Sequence, residues 1–207
     1  MPERQPPPRA TVRRLPRYLR ALEVAHGQAT IASDDLAAAA DTTAAIVRRD
    51  LSVLGFSGVR GVGYDVDRLR TMIQQELGLT ADVRVAVVGA GNLGRALANY
   101  AGFERRGFRV VALYDVDPDK IGGEVAGAPI RGLDQLGDDG PDDGIDIGIV
   151  ATPGSVAQEV ADRLSAAGVR SILNFAPTRV RVSEGVEVRQ VDLSTELQIL
   201  SYYRSHA

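Results

Sequence analysis

The stretch Gly89-Ala90-Gly91-Asn92-Leu93-Gly94 fits the pattern G-x-G-x-x-G. Alone that pattern is weak. Its setting makes it informative, because Val83-Arg84-Val85-Ala86-Val87-Val88 reads as a buried strand directly before it and a helix near Leu93–Tyr100 follows. In such a turn Gly89 permits the tight bend, Gly91 lets a pyrophosphate approach the backbone, and Gly94 lets helix and strand pack closely. The start of the helix, from Asn92 and Leu93, offers free N–H groups and a partial positive charge to phosphates.

Asp115 stands 21 residues after Gly94, at the end of the stretch Ala112-Leu113-Tyr114-Asp115. A carboxylate there accepts from an adenosine 2′-hydroxyl and repels a 2′-phosphate, which favours NAD(H) over NADP(H). The bland alternative is a solvated loop acid, since Asp117 and Asp119 follow. Thr152-Pro153-Gly154 closes a later strand on the same edge of the sheet, where Thr152 and Pro153 can touch the nicotinamide half or simply form a turn. A dehydrogenase also needs a group that moves a proton as hydride transfers. The two histidines are His26 and His206, both outside the nucleotide-binding half. A nucleotide site without catalytic apparatus reads as a sensor, not an enzyme.

The elements around these residues read as alternating strands and helices. Arg109–Tyr114, Ile145–Ala151 and Arg170–Phe175 are expected strands. A helix over Ser155–Ala167 would open with a capping box, Ser155 with Gln158, and end at Gly168. This alternation predicts a parallel sheet covered on both faces. Asp192–Tyr203 reads as an amphipathic helix bearing Leu193, Leu197, Leu200 and Tyr203.

The first third is different. From Met1 to Arg20 there are six arginines, at 4, 9, 13, 14, 17 and 20, against one acid, Glu3, although the whole chain carries a net charge of −3. Such a start is either a solvated tail or a surface for nucleic acid. Residues 1–9 read as disordered. A helix is expected over Thr11–His26, starting or bending at Pro16. Ser33 would cap a helix over Asp34–Ala40, and Asp41-Thr42-Thr43 another over Ala44–Leu54. Two short helices joined by small polar residues suggest a helix-turn-helix, with Arg48 and Arg49 on the second. The glycine-rich stretch from Gly55 to Tyr64 reads as a tight hairpin with Arg60 near its tip. Together these make a winged helix, with a generic three-helix domain as the alternative. Asp67–Leu77 would be a connecting helix, ended by Gly78.

Several of these stretches together resemble the Rex family of bacterial redox-sensing repressors. They are Arg9-Ala10-Thr11-Val12-Arg13-Arg14-Leu15-Pro16, Val47-Arg48-Arg49-Asp50-Leu51-Ser52, Arg60-Gly61-Val62-Gly63-Tyr64 and the glycine motif from Val88 to Gly94. Asp115-Val116-Asp117, Ile172-Leu173-Asn174-Phe175-Ala176-Pro177 and Val191-Asp192-Leu193 complete the set, in family order. The resemblance implies a homodimer that binds inverted-repeat operator DNA when NADH is scarce. NADH binding closes the dimer and releases the DNA, while NAD⁺ competes and favours the DNA-bound form.

By that resemblance, DNA contacts fall to Arg9, Thr11 and Arg13, to Thr43, Ala44, Arg48, Arg49 and Ser52, and to Arg60, Gly61 and Tyr64. Arg48 or Arg49 can instead pair with Asp50 or a neighbouring helix. Asn174, Phe175 and Tyr100 join the cofactor site. The resemblance further implies a relay of Arg20, Tyr100 and Asp192 drawn from both subunits, with the last helix exchanged between them. Without the relay, Asp192 would only cap that helix and Tyr100 would pack in the core. The chain departs from the family's pattern at Ser52-Val53-Leu54-Gly55, usually richer in aromatics, and at Val59, usually polar.

The expected fold is therefore α/β: a winged-helix domain (1–79), a Rossmann-like parallel-sheet domain (80–190) and a C-terminal exchange helix (191–207). The absence of cysteine excludes disulfides, thiolate nucleophiles and Cys-based metal sites. No metal is expected. No apolar run approaches the roughly 18–20 residues needed to span a bilayer, and the N-terminus has no signal-like apolar core, so no membrane is expected and the address reads as cytoplasmic. The competing readings are a CoA-binding Rossmann module and an NAD-dependent enzyme, neither of which binds DNA.

Overall fold

The computed structural model describes residues 6–25, 27–137 and 144–206. The chain divides into two compact units, Met1–Ala81 and Asp82–Ala207.

In the first unit, Thr11, Leu15, Tyr18 and Leu22 recur at helical spacing and form the buried stripe of α1 (Arg9–Val24). Arg9 is helical, contrary to the disorder expected over residues 1–9; the rest of that expectation falls partly on residues 1–5, which lie outside the described residues, as does His26. Pro16 does not start the helix. It lies on the exposed side, where water can serve the Val12 carbonyl that loses its partner. β1 (Thr30–Ile31) precedes α2 (Ser33–Ala39). Ser33 is the first helical residue and not the cap: Ala32 is the N-cap, and the Ser33 hydroxyl instead accepts from Arg48. α3 (Ala44–Val53) is capped by Thr43, whose hydroxyl accepts from the Ile46 N–H at 3.4 Å.

The expected hairpin is reduced to a single bridge, Val59 with Gly63, around a turn that carries Arg60. The strand after it, β2 (Tyr64–Asp65), pairs antiparallel with β1. Gly63 takes φ +105°, and a Cβ there would overlap the Ile31 carbonyl. α4 (Val66–Glu76) is capped by the Asp65 carboxylate, which accepts from Arg68 N–H at 2.8 Å. Leu15, Leu22, Leu36, Val47, Leu51, Leu69 and Ile73 close a single core.

In the second unit, β3 (Val83–Val88) leads into α5 (Asn92–Ala98), and β4 (Phe108–Asp115) follows. β5 (Glu124–Val125), β6 (Ala128–Gly132), β7 (Ile147–Val150), α6 (Ala157–Ala166), β8 (Ser171–Asn174), β9 (Glu187–Gln190) and α7 (Leu193–Ser205) complete the order. The seven-stranded sheet runs β5-β6-β4-β3-β7-β8-β9 and is parallel except where β5 meets β6. β5, β6 and β9 were not foreseen. The partner of Val85 is Val110 and that of Ala86 is Ala112, so β4 accommodates Val111 as an extra residue.

The capping box expected at Ser155 is absent. Val156 is the N-cap of α6, and Gln158 bonds Asp162 and the Arg181 backbone instead. α7 buries none of its residues. No helix among the described residues is long and apolar enough to cross a membrane.

Candidate dinucleotide site and nucleic-acid interface

The sheet order reverses at β3. β4 and β6 lie to one side of it, β7 and β8 to the other. The carboxyl ends of β3 and β7 are adjacent, with Val88 beside Val150. A crevice at such a switch point is where open α/β sheets hold ligands.

The three glycines play separate parts there. Gly89 takes φ +104°, and a Cβ on it would sit 2.6 Å from the Ala151 carbonyl oxygen. A Cβ on Gly94 would overlap the Gly89 carbonyl. A Cβ on Gly91 would meet nothing within 4 Å. Gly89 and Gly94 thus serve packing, while Gly91 borders open space, as a cradle for a ligand requires. Asn92 and Leu93 are exposed at the start of α5, and Pro153 is exposed at the end of β7. The Thr152 hydroxyl is buried and has no hydrogen-bond partner. An orphaned donor at this spot fits a bound polar group.

Asp115 is 9% exposed. Its carboxylate accepts from Ala90 N–H at 2.7 Å and Asp117 N–H at 3.0 Å, and Lys120 Nζ lies at 3.3 Å. Burial pushes this carboxyl up, but the two backbone donors and the ammonium outweigh it and hold it below the usual carboxylate range. The solvated-acid alternative is therefore corrected: Asp115 is anchored. Ala90 is corrected too as a cofactor contact, because its side chain is fully buried and its N–H is committed to Asp115.

Asn174 is a second correction. It is fully buried, its amide nitrogen donates to the Thr178 carbonyl and Gln190 Oε1, and its oxygen accepts from Ala176 N–H. With both donor hydrogens used, it shapes the loop after β8. Phe175 is half-buried against the apolar core of the same sheet. Tyr100 is neither in the core nor at the glycine turn. It is 53% exposed beyond the end of α5. There it lines a groove of about 530 Å³ with Phe103, Phe108, Arg109 and Arg131, to which no residue of the glycine turn contributes. Asp192 caps α7, accepting from the Ser194 N–H at 2.9 Å and hydroxyl at 2.6 Å, and no hydrogen bond joins it to Tyr100 within the chain.

In the first unit, Arg48, Arg49 and Ser52 are exposed on α3, with Thr43 exposed and Ala44 half-buried at its start. Arg60 and Gly61 are exposed in the turn. A groove of about 550 Å³ runs between α2, α3 and that turn, lined by Ser33, Arg48, Ser52 and Arg60 among others. Arg48 Nη1 donates to Ser33 Oγ at 2.9 Å, so it does use a neighbouring helix, and Arg49 does not pair with Asp50. Arg9, Arg13 and Arg20 are exposed on α1.

Two expected DNA contacts are corrected. Thr11 is buried and donates to Asp50 at 2.8 Å. Tyr64 is buried beside Phe56, and burial pushes its phenol up. The sequence reading also missed why Asp50 is there. Its carboxylate is 1% exposed and takes a two-pronged contact from Arg14, at 2.6 and 2.8 Å, with hydrogen bonds from Thr11 and Tyr18. Burial raises this carboxyl, but those donors prevail and hold it below its ordinary range. Lys120 was missed likewise, though its place five residues after Asp115 was visible. Among the described residues no group of three or more acids and histidines could hold a metal.

Comparison with known proteins decides the family. The chain is 57% identical over 198 residues to the redox-sensing transcriptional repressor Rex of Streptomyces coelicolor, covering 95% of this chain and 77% of that protein. It belongs to the Rex family. A family model described as CoA binding domain matches residues 80–178, and one described as putative DNA-binding protein N-terminus matches residues 8–52.

Two solved structures of RSP, a Rex-family repressor, are similar along almost the whole chain. RSP with β-NAD⁺ and operator DNA is 36% identical with a TM-score of 0.87, covering 95% of this chain and 92% of that one. RSP with β-NADH is 35% identical with a TM-score of 0.83, covering 96% and 94%. The Rex-family fold, a DNA-binding N-terminal part followed by a Rossmann-like parallel sheet, is thus the fold of this chain. The Rex relatives match nearly its full length, so a free-standing CoA module is set aside.

Proposed function

We propose that this chain is a transcriptional repressor that reads the NADH/NAD⁺ ratio. It binds inverted-repeat operator DNA when NADH is scarce and releases it when NADH fills the crevice at Gly89–Gly94. The observation that carries the reading is one chain holding both a winged-helix unit with Arg48, Arg49 and Arg60 exposed and a switch-point crevice with an anchored Asp115 and an orphaned Thr152 hydroxyl. Complexes of RSP with NADH, and with NAD⁺ and operator DNA, support it.

The parts divide as 1–79 for DNA, 80–190 for NAD(H) and 191–207 for exchange between two copies. A homodimer is supported by α7, whose Leu193, Leu197, Leu200 and Tyr203 are all more than half exposed. The relay of Arg20, Tyr100 and Asp192 would assemble across that dimer. The cofactor contacts are Gly91, Asn92, Leu93, Asp115, Thr152, Pro153, Tyr100 and Phe175, around a turn that Gly89 and Gly94 shape. A repressor acts where the DNA is, in the cytoplasm, and its output is occupancy of DNA, not turnover.

The test is NADH fluorescence on mixing, followed by gel shift on an inverted-repeat duplex with and without NADH. Fluorescence enhancement, a shifted band and its loss with NADH are expected. A band that NADH leaves in place would overturn the reading.

A further inference from the structure

We infer that the outward face of α1 is a cationic rail that follows the DNA phosphate backbone, with Arg17 as a contact as essential as Arg13. The inference rests on the DNA-binding reading and extends it along α1, beyond Arg9 and Arg13, to Arg17. Arg9, Arg13, Arg17 and Arg20 are all exposed. At 3.6 residues per turn they fall within an arc of about 80° and span about 16 Å of helix. Thr11, Leu15, Tyr18 and Leu22, which face the core, lie on the other side. Among the described residues no hydrogen bond or ion pair holds Arg13, Arg17 or Arg20, whereas the intervening Arg14 is turned inward onto Asp50. Like charges spaced along one helix face repel each other. A regularly spaced polyanion removes that repulsion, and each strand of duplex DNA presents a charge about every 3.4 Å of helix axis.

The rail is also fixed relative to the recognition helix. Thr11, Arg14 and Tyr18 grip Asp50, the neighbour of Arg49 on α3. The arginines of α1 and α3 are thereby carried on one rigid body, and a phosphate contact made by Arg13 or Arg17 sets the angle at which α3 enters the groove.

Phosphate contacts reveal themselves through salt. Each one lost lowers the slope of log affinity against log salt by about 0.9. The experiment is fluorescence anisotropy of the full chain on a labelled random-sequence duplex over a salt series, with wild type, Arg13→Gln/Arg17→Gln, Arg13→Lys/Arg17→Lys and Arg48→Gln/Arg49→Gln. The Gln pair at 13 and 17 should lower the slope by about 2 for each chain bound, and the Lys pair should restore it. NADH affinity should not change in either. If the Gln pair keeps the wild-type slope while Arg48→Gln/Arg49→Gln lowers it, the rail is wrong and the DNA reading stands. If wild type does not bind the duplex, both fall. If the Gln pair loses binding only to vesicles of phosphatidylcholine with phosphatidylserine, the face serves a membrane and the rail is overturned.

Discussion

The Tyr100 ring lies over the backbone of Gly102, where a Cβ would overlap its Cε1, Cζ and hydroxyl. The ring also meets Phe103 edge-on, with centroids 5.2 Å apart. Gly102 is therefore the seat of an exposed aromatic that the resemblance places in the relay. Gly102→Ala should push Tyr100 off this seat without touching the glycine turn. The expected outcome is NADH affinity within a few-fold of wild type and a displaced NADH release curve in gel shift. Tyr100→Phe keeps the ring and removes the hydroxyl, and should blunt release while leaving NADH binding within a few-fold. If both variants release DNA as wild type does, Tyr100 has no part in the signal.

Asp50 should be a stability residue before it is anything else. Removing Asp50 leaves the buried Thr11 and Tyr18 hydroxyls without their acceptor, at a cost of about 1–3 kcal/mol, while Arg14, 26% exposed, can turn to water. Asp50→Ala should lower the stability of the first unit by that order in urea unfolding followed by circular dichroism. Its pH dependence has a definite sign. The carboxyl is depressed in the folded chain, so its contribution is present above the ordinary carboxylate range and disappears as pH falls through the lower folded value. Wild type should lose stability more steeply than Asp50→Ala in that acid window. Parallel curves would mean that the charge on Asp50 is not what holds α1 to α3.

Much of this was legible in the sequence where one local rule decided the outcome. β3 is an apolar run broken only by Arg84 and followed by glycines, and it was read with its observed ends, Val83–Val88. Thr43 was readable as a cap because the residues before α3 break the preceding helix. β5 and β9 escaped because such short or half-exposed edge strands take their identity from the neighbour they pair with, β6 and β8. Asn174 and Tyr64 entered as contacts through the family resemblance alone, which carries a residue type and not the direction of its side chain. Which way they point depends on Gln190 and Phe56, distant in sequence. Thr11 and Asp50 are 39 residues apart, and nothing local announces that one serves the other.

Lys120, the only lysine in the chain, should influence which dinucleotide is preferred. Its ammonium lies 3.3 Å from carboxylate oxygens of both Asp115 and Asp117. It offsets negative charge at the place where an adenosine ribose would sit. In Lys120→Gln the two backbone N–H donors still hold Asp115, but the positive charge is gone. NADH affinity should fall modestly, and NADPH affinity should fall further, because a 2′-phosphate would then face an unscreened carboxylate. The measurement is the ratio of the two dissociation constants from NAD(P)H fluorescence. A ratio that moves toward NADPH would mean that Lys120 blocks the phosphate, the reverse of the role argued from its position.

The three glycines of the turn should separate into two kinds under substitution. A side chain on Gly94 collides with the Gly89 carbonyl, and one on Gly89 meets the Ala151 carbonyl at a φ of +104° that side chains avoid. Gly89→Val and Gly94→Val should therefore disturb the fold itself, visible as a lower melting temperature. Gly91 has φ −80° and open space on its Cβ side. Gly91→Val should fold with a melting temperature close to wild type, because nothing in the protein opposes the new side chain. It should nevertheless lose NADH binding, since the isopropyl group would occupy the space that the pyrophosphate needs. Its DNA binding should survive and become insensitive to NADH. A Gly91→Val protein that folds normally and still releases DNA on adding NADH would show that the dinucleotide lies elsewhere.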